Sequence, residues 1–276
     1  SDFAHFDIVY VVGDSPTGPW TKPANHELLT EWTCASEHPT FNGTTYMLYI
    51  VQEEINGIWG ASVMSDPKRI DWLADGTARI CEHVPAHYIS TPIYNLANDG
   101  LAGWVQHGGS WRVVDGQIAP PESSGNCFLI NPLWGTDLAF EAEIQLDSGS
   151  TASLLVRANP SAMAGYRIEL DAAQSSVRLL RMTPGQPELL LQQRNVKLNT
   201  GQWHKLKVVA QGAFFDIYVD DTLLIVRHER TYVDGCMGLH ANGNVRLRNV
   251  QAYRYQDLQE SNNNWSIRCQ PRHLFP

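Results

Sequence analysis

Apolar and polar residues alternate with a period of two through most of this chain, the pattern of strands half-buried in a sheet. It is clearest at Phe140-Glu141-Ala142-Glu143-Ile144-Gln145-Leu146, where Phe140, Ala142, Ile144 and Leu146 share one face and Glu141, Glu143 and Gln145 the other. Such a strand belongs to an antiparallel sheet with one covered side. Similar runs recur at 152–156, 166–170, 177–181, 204–210, 214–219, 223–226 and 245–253. Turns part them at Ala172-Ala173-Gln174-Ser175-Ser176, Asn199-Thr200-Gly201-Gln202 and Asp220-Asp221. Even spacing with alternation predicts two sheets face to face, because each must cover an apolar side; a barrel is the alternative and is also all-β. Residues 103–118 read as a strand pair with a glycine turn at each end.

The first hundred residues follow another rhythm. Residues 6–12 form an apolar strand, ended by the turn cluster Gly13-Asp14-Ser15-Pro16-Thr17-Gly18-Pro19-Trp20. After a polar span, Asn42-Gly43 supplies the positive φ angles of a tight hairpin, and Tyr46, Leu48 and Ile50 then alternate with Met47, Tyr49 and Val51. A third strand is predicted over 58–64, followed by Ser65-Asp66-Pro67 and Ile70-Asp71-Trp72. Composition shifts at His87-Tyr88-Ile89-Ser90-Thr91-Pro92. The predicted organisation is a segment of short antiparallel strands over 1–99, a β-sandwich over 100–256 and a polar tail over 257–276.

Composition supports the all-β reading: 43% of the 276 residues are hydrophobic and only 18% charged, with 21 Gly, 15 Pro, 9 Trp, 10 Tyr and 8 Phe. The formal charge of −9, with Lys and Arg scattered, offers no phosphate-neutralising surface and argues against nucleic acid. Neutral polar ligands fit better. Cys34, Cys81, Cys127, Cys236 and Cys269 form no CxxC pair, so a zinc ribbon or redox motif is not expected; buried thiols and one or two disulfides both stay open. No leader and no apolar run of bilayer length is visible, which predicts a soluble chain without a membrane partner. Asn42-Gly43-Thr44 and Asn264-Trp265-Ser266 fit the glycosylation triplet, a pattern that arises often by chance.

Candidate chemistry concentrates at Glu37. It lies just before the Asn-Gly hairpin, where a carboxylate kept protonated by its surroundings would donate a proton to a leaving oxygen. The alternative is an ordinary surface carboxylate. Asp14, Glu53, Glu54, Asp66 and Asp71 are near it in sequence, each in a turn or polar position with solvation as the default. Trp32, Trp59 and Trp72 are candidates for stacking on sugar rings, with core or turn packing as the other reading. Arg157, Arg167, Arg178 and Arg181 sit on predicted strands as either a sugar-binding polar face or a solvated sheet face. His204, His228 and His240 lack ligand-like spacing, so neither a metal site nor a cofactor is expected.

Three of these stretches resemble the five-bladed β-propeller glycoside hydrolases, the clan of families 32 and 43. Asp14-Ser15-Pro16-Thr17-Gly18-Pro19-Trp20 is similar to a phrase that closes a blade there, Glu37-His38-Pro39 to the Glu-x-Pro motif of the general acid, and residues 41–50 to the strands that follow it. His38 stands where family 32 has Cys and family 43 a small residue. The resemblance implies partial propeller blades and a general-acid role for Glu37 in hydrolysis of a fructan, sucrose or arabinan glycoside. That chemistry needs two carboxyl groups. No stretch here is similar to the motifs that carry the catalytic Asp, so it is expected outside this segment, with another segment or chain completing the propeller. Gly109-x-Trp111-x-Val113, residues 140–146, Gly165-Tyr166-Arg167-Ile168, Trp203-His204-Lys205-Leu206-Lys207-Val208, Asp216-Ile217-Tyr218-Val219-Asp220 and Gly235-x-x-Gly238-Leu239 resemble the concanavalin A-like or laminin-G-like jelly roll. That module specifies fold more than activity. Residues 265–276 are similar to a phrase preceding the first blade in family 32. The expected function is glycoside hydrolysis, with a non-catalytic carbohydrate-binding or packing module as the alternative. An oligo- or polysaccharide is the expected partner, in an extracellular or periplasmic setting.

Overall fold

The computed structural model describes residues 7–30, 33–55, 58–82, 88–121, 127–159 and 164–257. Among these residues it is all-β apart from one short helix, α1 (Leu96–Asp99), and no helix is long and apolar enough to cross a membrane. The chain divides into two compact units, one built from the chain up to Tyr88 with Asp221–His228, the other from Ile89–Asp220 and Glu229–Gln256.

The first unit begins with β1 (Ile8–Val9), β2 (Val12–Gly13), β3 (Trp20–Thr21) and β4 (Glu27–Leu29), paired β1 with β4 and β2 with β3. The single strand expected over 6–12 is broken between two small ribbons. Tyr10 explains the break: its hydroxyl donates to Asn25 Oδ1 (2.8 Å) and accepts from the Ala78 N–H (3.1 Å), while its own N–H donates to the His26 carbonyl. Next come β5 (Thr33–Glu37), β6 (Thr40–Phe41), β7 (Thr44–Ile55), β8 (Ile58–Met64), β9 (Lys68–Trp72) and β10 (Ala78–Cys81). β5, β7, β9 and β10 lie side by side in chain order, an antiparallel meander like one propeller blade; β8 pairs the far half of β7. Alternation in β7 buries Met47, Tyr49 and Val51, at most 1% exposed, and leaves Tyr46, Leu48 and Ile50 half-buried.

The second unit is a sandwich. Its strands are β11 (Tyr88–Asn95), β12 (Val105–His107), β13 (Arg112–Val114), β14 (Gln117–Ala119), β15 (Cys127–Gly135), β16 (Leu138–Leu146), β17 (Thr151–Asn159), β18 (Ala164–Asp171), β19 (Ser176–Met182), β20 (Leu189–Asn195), β21 (Trp203–Gln211), β22 (Phe214–Val219), β24 (Gly235–Asn242) and β25 (Val245–Asp257); β23 (Thr222–His228) groups with the first unit. One sheet runs β12-β15-β24-β17-β18-β19-β20, the other β13-β14-β25-β16-β21-β22 with β11 also on β25. The stretch 103–118 therefore holds one strand more than the expected pair, and the strands are divided between the two sheets. β12 joins one sheet, and β13 forms its hairpin with β14 over Asp115-Gly116 in the other.

In β16 the alternation is realised as expected: Phe140, Ala142, Ile144 and Leu146 are buried, while Glu141 and Glu143 pair outward with Lys205, Lys207 and Arg248. Across the seven-stranded sheet Leu129, Leu239, Leu154, Ile168 and Leu179 form one cross-strand row, all 0% exposed. Tyr166, on their side of β18, packs on Phe215 of the other sheet with ring centres 4.6 Å apart, which identifies this as the inner face. Burying each such side chain contributes roughly 1.5–3 kcal/mol.

Candidate functional site

Glu37 ends β5, opposite Leu48 of β7, with its side chain exposed. A register shift between Cys34 and Glu37 marks a bulge just before it, and Ala35 takes φ of 50° there. Bulges of this kind re-aim the side chain that follows. Trp32 lies outside the described residues. Trp59 is on β8, opposite Glu54 of β7, and its side chain also lies outside them. Trp72 ends β9 opposite Ala78 and is 61% exposed. Asp71 serves the scaffold: Arg69 grips both its oxygens (2.7 and 3.1 Å), Arg79 and the Cys81 thiol donate to Oδ2, and the Arg69 hydrogen bonds hold its carboxyl below the usual range.

A denser polar arrangement lies on the outer face of the seven-stranded sheet. The register aligns His107, Phe128, His240, Ser153, Glu169, Arg178 and Gln193 in one row that crosses all seven strands. Beside it run Ile130, Gly238, Leu155, Arg167 and Leu180; on the other side run Asn242, Thr151, Asp171, Ser176 and Asn195. Alternation dictates the placement, since Tyr166, Ile168 and Leu170 take the inner face and leave Arg167, Glu169 and Asp171 outside.

The middle of this face is deeply recessed. Ser153 is 0%, Glu169 and His240 1%, Asp171 5% and Arg167 8% exposed, while His107, Phe128, Arg178 and Gln193 are half-buried. Glu169 accepts from Arg178, from Arg167 (3.2 Å) and from the Ser153 hydroxyl (3.5 Å). Arg178 also reaches Asp171 Oδ2 (3.0 Å), and Arg167 reaches Glu188 Oε2 (2.6 Å). The five form an alternating chain, Glu188–Arg167–Glu169–Arg178–Asp171, with a carboxylate at each end. Asp171 Oδ1 also accepts the N–H groups of Ala173 and Gln174, which anchors the turn to β19.

Ser153 has one proton, and with it given to Glu169, His240 Nδ1 (3.3 Å away) is the donor to Ser153 Oγ. Burial, aided by the positive charge of Arg167, pushes the His240 pKa down to about 3, so the ring is neutral at ordinary pH. Phe128 lies over it with ring centres 4.8 Å apart and edges onto the apolar cluster of Ile130, Leu155, Ala158, Met182 and Cys236. Several buried polar atoms on this face have no partner among the described residues: His107 Nε2, Arg167 Nε, Arg178 Nε and Ser176 Oγ. Buried donors without partners are costly in a folded chain and mark places where a ligand or water belongs.

The four strand arginines separate. Only Arg167 and Arg178 share the outer face. A bulge after Val156 turns Arg157 aside with φ of 51°, and its guanidinium donates to the carbonyls of Tyr232 (3.2 Å), Thr136 (3.3 Å) and Gly212 (2.5 Å) over the Phe215 ring. Arg181, opposite Tyr166, binds Glu229 and Thr231. Among the histidines, His204 donates from Nδ1 to Asp220 (2.8 Å) and accepts the Asn199 N–H (3.0 Å) at Nε2, which fixes a turn.

Comparison with known proteins adds a family and a set of relatives. Residues 93–252 match the family described as 3-keto-alpha-glucoside-1,2-lyase-like domain. The levanase of Bacillus subtilis (strain 168) is 26% identical over 144 residues, 51% of this chain and 21% of that protein. The levanase of Bacillus sp. (strain L7) is 25% identical over 162 residues, 56% of this chain and 17% of that protein. The chain thus spans about a fifth of the length of these curated relatives. Among solved structures, the carbohydrate-binding module CBM66 from Bacillus subtilis matches with TM-score 0.50 and 24% identity over 55% of this chain and 96% of that one. The exo-inulinase of Aspergillus awamori matches with TM-score 0.57 and 12% identity over 91% of this chain and 50% of that one. These structural matches speak to fold.

Proposed function

Because the chain belongs, through residues 93–252, to the family of 3-keto-alpha-glucoside-1,2-lyase-like domains, we propose that its sandwich is a carbohydrate-binding module. Its ligand is a neutral oligo- or polysaccharide held on the outer face of the seven-stranded sheet. One observation carries the reading: a row of hydrogen-bonding side chains crosses that face with buried donors left unpartnered. Sugar hydroxyls both donate and accept, so they complement a face that mixes guanidinium, carboxylate, hydroxyl and amide groups. Phe128 and the apolar cluster beside it supply a surface for the C–H side of a ring. Three carboxylates against two guanidiniums leave no excess positive charge to favour an anionic glycan. The levanase relatives make a β-fructan the first ligand to try.

Calorimetric titration with levan and inulin tests the reading. Gln193→Ala and Phe128→Ala, both at half-buried positions, are expected to weaken binding about five- to tenfold each, from one lost hydrogen bond or ring contact. Absence of binding to any neutral glycan, or binding indifferent to both changes, overturns it.

A second reading is supported by the bulge before Glu37. In it the first unit is part of a propeller glycoside hydrolase, Glu37 protonates the glycosidic oxygen, and the Asp partner lies outside this segment. Hydrolysis of sucrose, inulin, levan and arabino-oligosaccharides is measured with the intact protein and with Glu37→Gln. Turnover that survives the substitution removes Glu37 from the role. Either reading fits an extracellular or periplasmic setting, where polymeric glycans are met.

A further inference from the structure

The geometry points to Glu188 as a specificity-determining residue that restricts the outer face to uncharged glycans. This rests on the carbohydrate-binding reading above. In the alternating chain the two inner carboxylates and the guanidiniums are largely withdrawn from solvent: the side chain of Glu169 is 2% exposed, Asp171 6%, Arg167 10% and Arg178 20%. Glu188, at the entry to β20, is 35% exposed and lies 2.6 Å from Arg167 Nη2. A ligand approaching Arg167 therefore meets a carboxylate first.

The two guanidiniums differ in how they are neutralised. Arg178 is held between Glu169 and Asp171, both buried and fixed by further hydrogen bonds. Arg167 shares Glu169 with Arg178 and takes its second, closer carboxylate from Glu188 alone. Its Nε stays buried and unpartnered, although Arg167 is 8% exposed overall. Without Glu188, Arg167 becomes an under-compensated guanidinium in a recessed, weakly screened place, which is the environment that takes a sulfate, phosphate or uronate group. With Glu188 in place an anionic substituent faces like charge. Hydroxyls do not, since they can donate to Glu188.

The test uses one backbone with and without charge: levan and chemically sulfated levan, titrated into the intact protein at low salt. For the wild type, unmodified levan is expected to bind more tightly than the sulfated polymer. Glu188→Gln keeps the shape and a hydrogen-bonding oxygen; it is expected to raise the sulfated-to-unmodified affinity ratio about tenfold, as removal of one near charge requires. Added salt should shrink that gain. Glu188→Asp restores the wild-type ratio. Asp115→Asn, which removes one charge from the exposed β13–β14 turn where φ is 50°, controls for net charge and leaves the ratio unmoved. If Glu188→Gln binds levan with an unchanged ratio, or Asp115→Asn shifts it equally, the role assigned to Glu188 is wrong while the binding face stands. Failure of the wild type to bind levan or any other neutral glycan removes the binding face itself, and the Glu188 role with it.

Discussion

Glu169 and Arg178 are direct cross-strand partners on β18 and β19, joined on the face that turns away from the second sheet. Glu169 is 1% exposed and also answers Arg167. Removing its charge by Glu169→Gln leaves two guanidiniums short of a counter-charge in a recessed place. The expected loss of stability is about 3 kcal/mol, the usual scale for breaking a buried ion pair. Urea unfolding of wild type and variant measures it. Replacing both partners, as in Glu169→Leu with Arg178→Met, should recover part of that loss, because no lone charge remains.

His240 makes stability depend on pH. The unfolded histidine takes a proton near 6.5, the folded one only near about 3, so acid favours the unfolded chain. Nothing is lost above about pH 6.5. Below it the cost grows until about pH 3, and at pH 5 it amounts to about 2 kcal/mol. His240→Gln keeps a polar side chain without this titration. Its stability, measured at pH 7 and pH 5, should fall less between the two than that of the wild type.

Gly165 and Gly235 hold the bulge at Arg157 between them. At φ of 128° a Cβ on Gly165 would lie 2.6 Å from the Arg157 carbonyl oxygen; on Gly235, at 147°, it would lie 2.5 Å from the Arg157 carbonyl carbon. Both neighbours are backbone and cannot swing away. Gly165→Ala and Gly235→Ala are each expected to cost at least about 2 kcal/mol, from strained dihedrals and a forced backbone shift. Thermal unfolding reads the effect, and folded protein of unchanged Tm would refute the wedge.

Alternation was enough to find the sandwich strands because period two is a local property. Residues 140–146, 166–170 and 204–210 all became strands, and 140–146 took the expected faces. The grouping of four arginines was not recoverable that way. One extra residue at the bulge after Val156 changes which side Arg157 takes, and a bulge leaves little trace in a single sequence. The split of residues 103–118 between two sheets has the same origin, since which sheet a short strand joins is decided by long-range pairing. The outer-face row was hidden more thoroughly. Ser153 and His240 are 87 positions apart, and each of the seven members is unremarkable within its own strand. Only the register brings them together. Glu37 is the reverse case, conspicuous in its local phrase yet exposed at the end of a strand.

The row from His107 to Gln193 runs from one edge strand to the other, so it spans roughly 29 Å at the usual spacing of neighbouring strands. A glycan lying along it would place several sugar units on the face, with Phe128 on β15 and Gln193 on β20 in separate subsites five strand spacings apart. Affinity for fructo-oligosaccharides of two, four and six units should then rise with length, by about threefold or more per added contact if each contributes one net hydrogen bond. Gln193→Ala should flatten the rise for the longer oligomers while sparing the shortest if that one sits at Phe128. Titration of the three oligomers into wild type and variant decides the matter. Equal affinities across the series would confine the ligand to a single sugar unit and leave the outer parts of the row as scaffold.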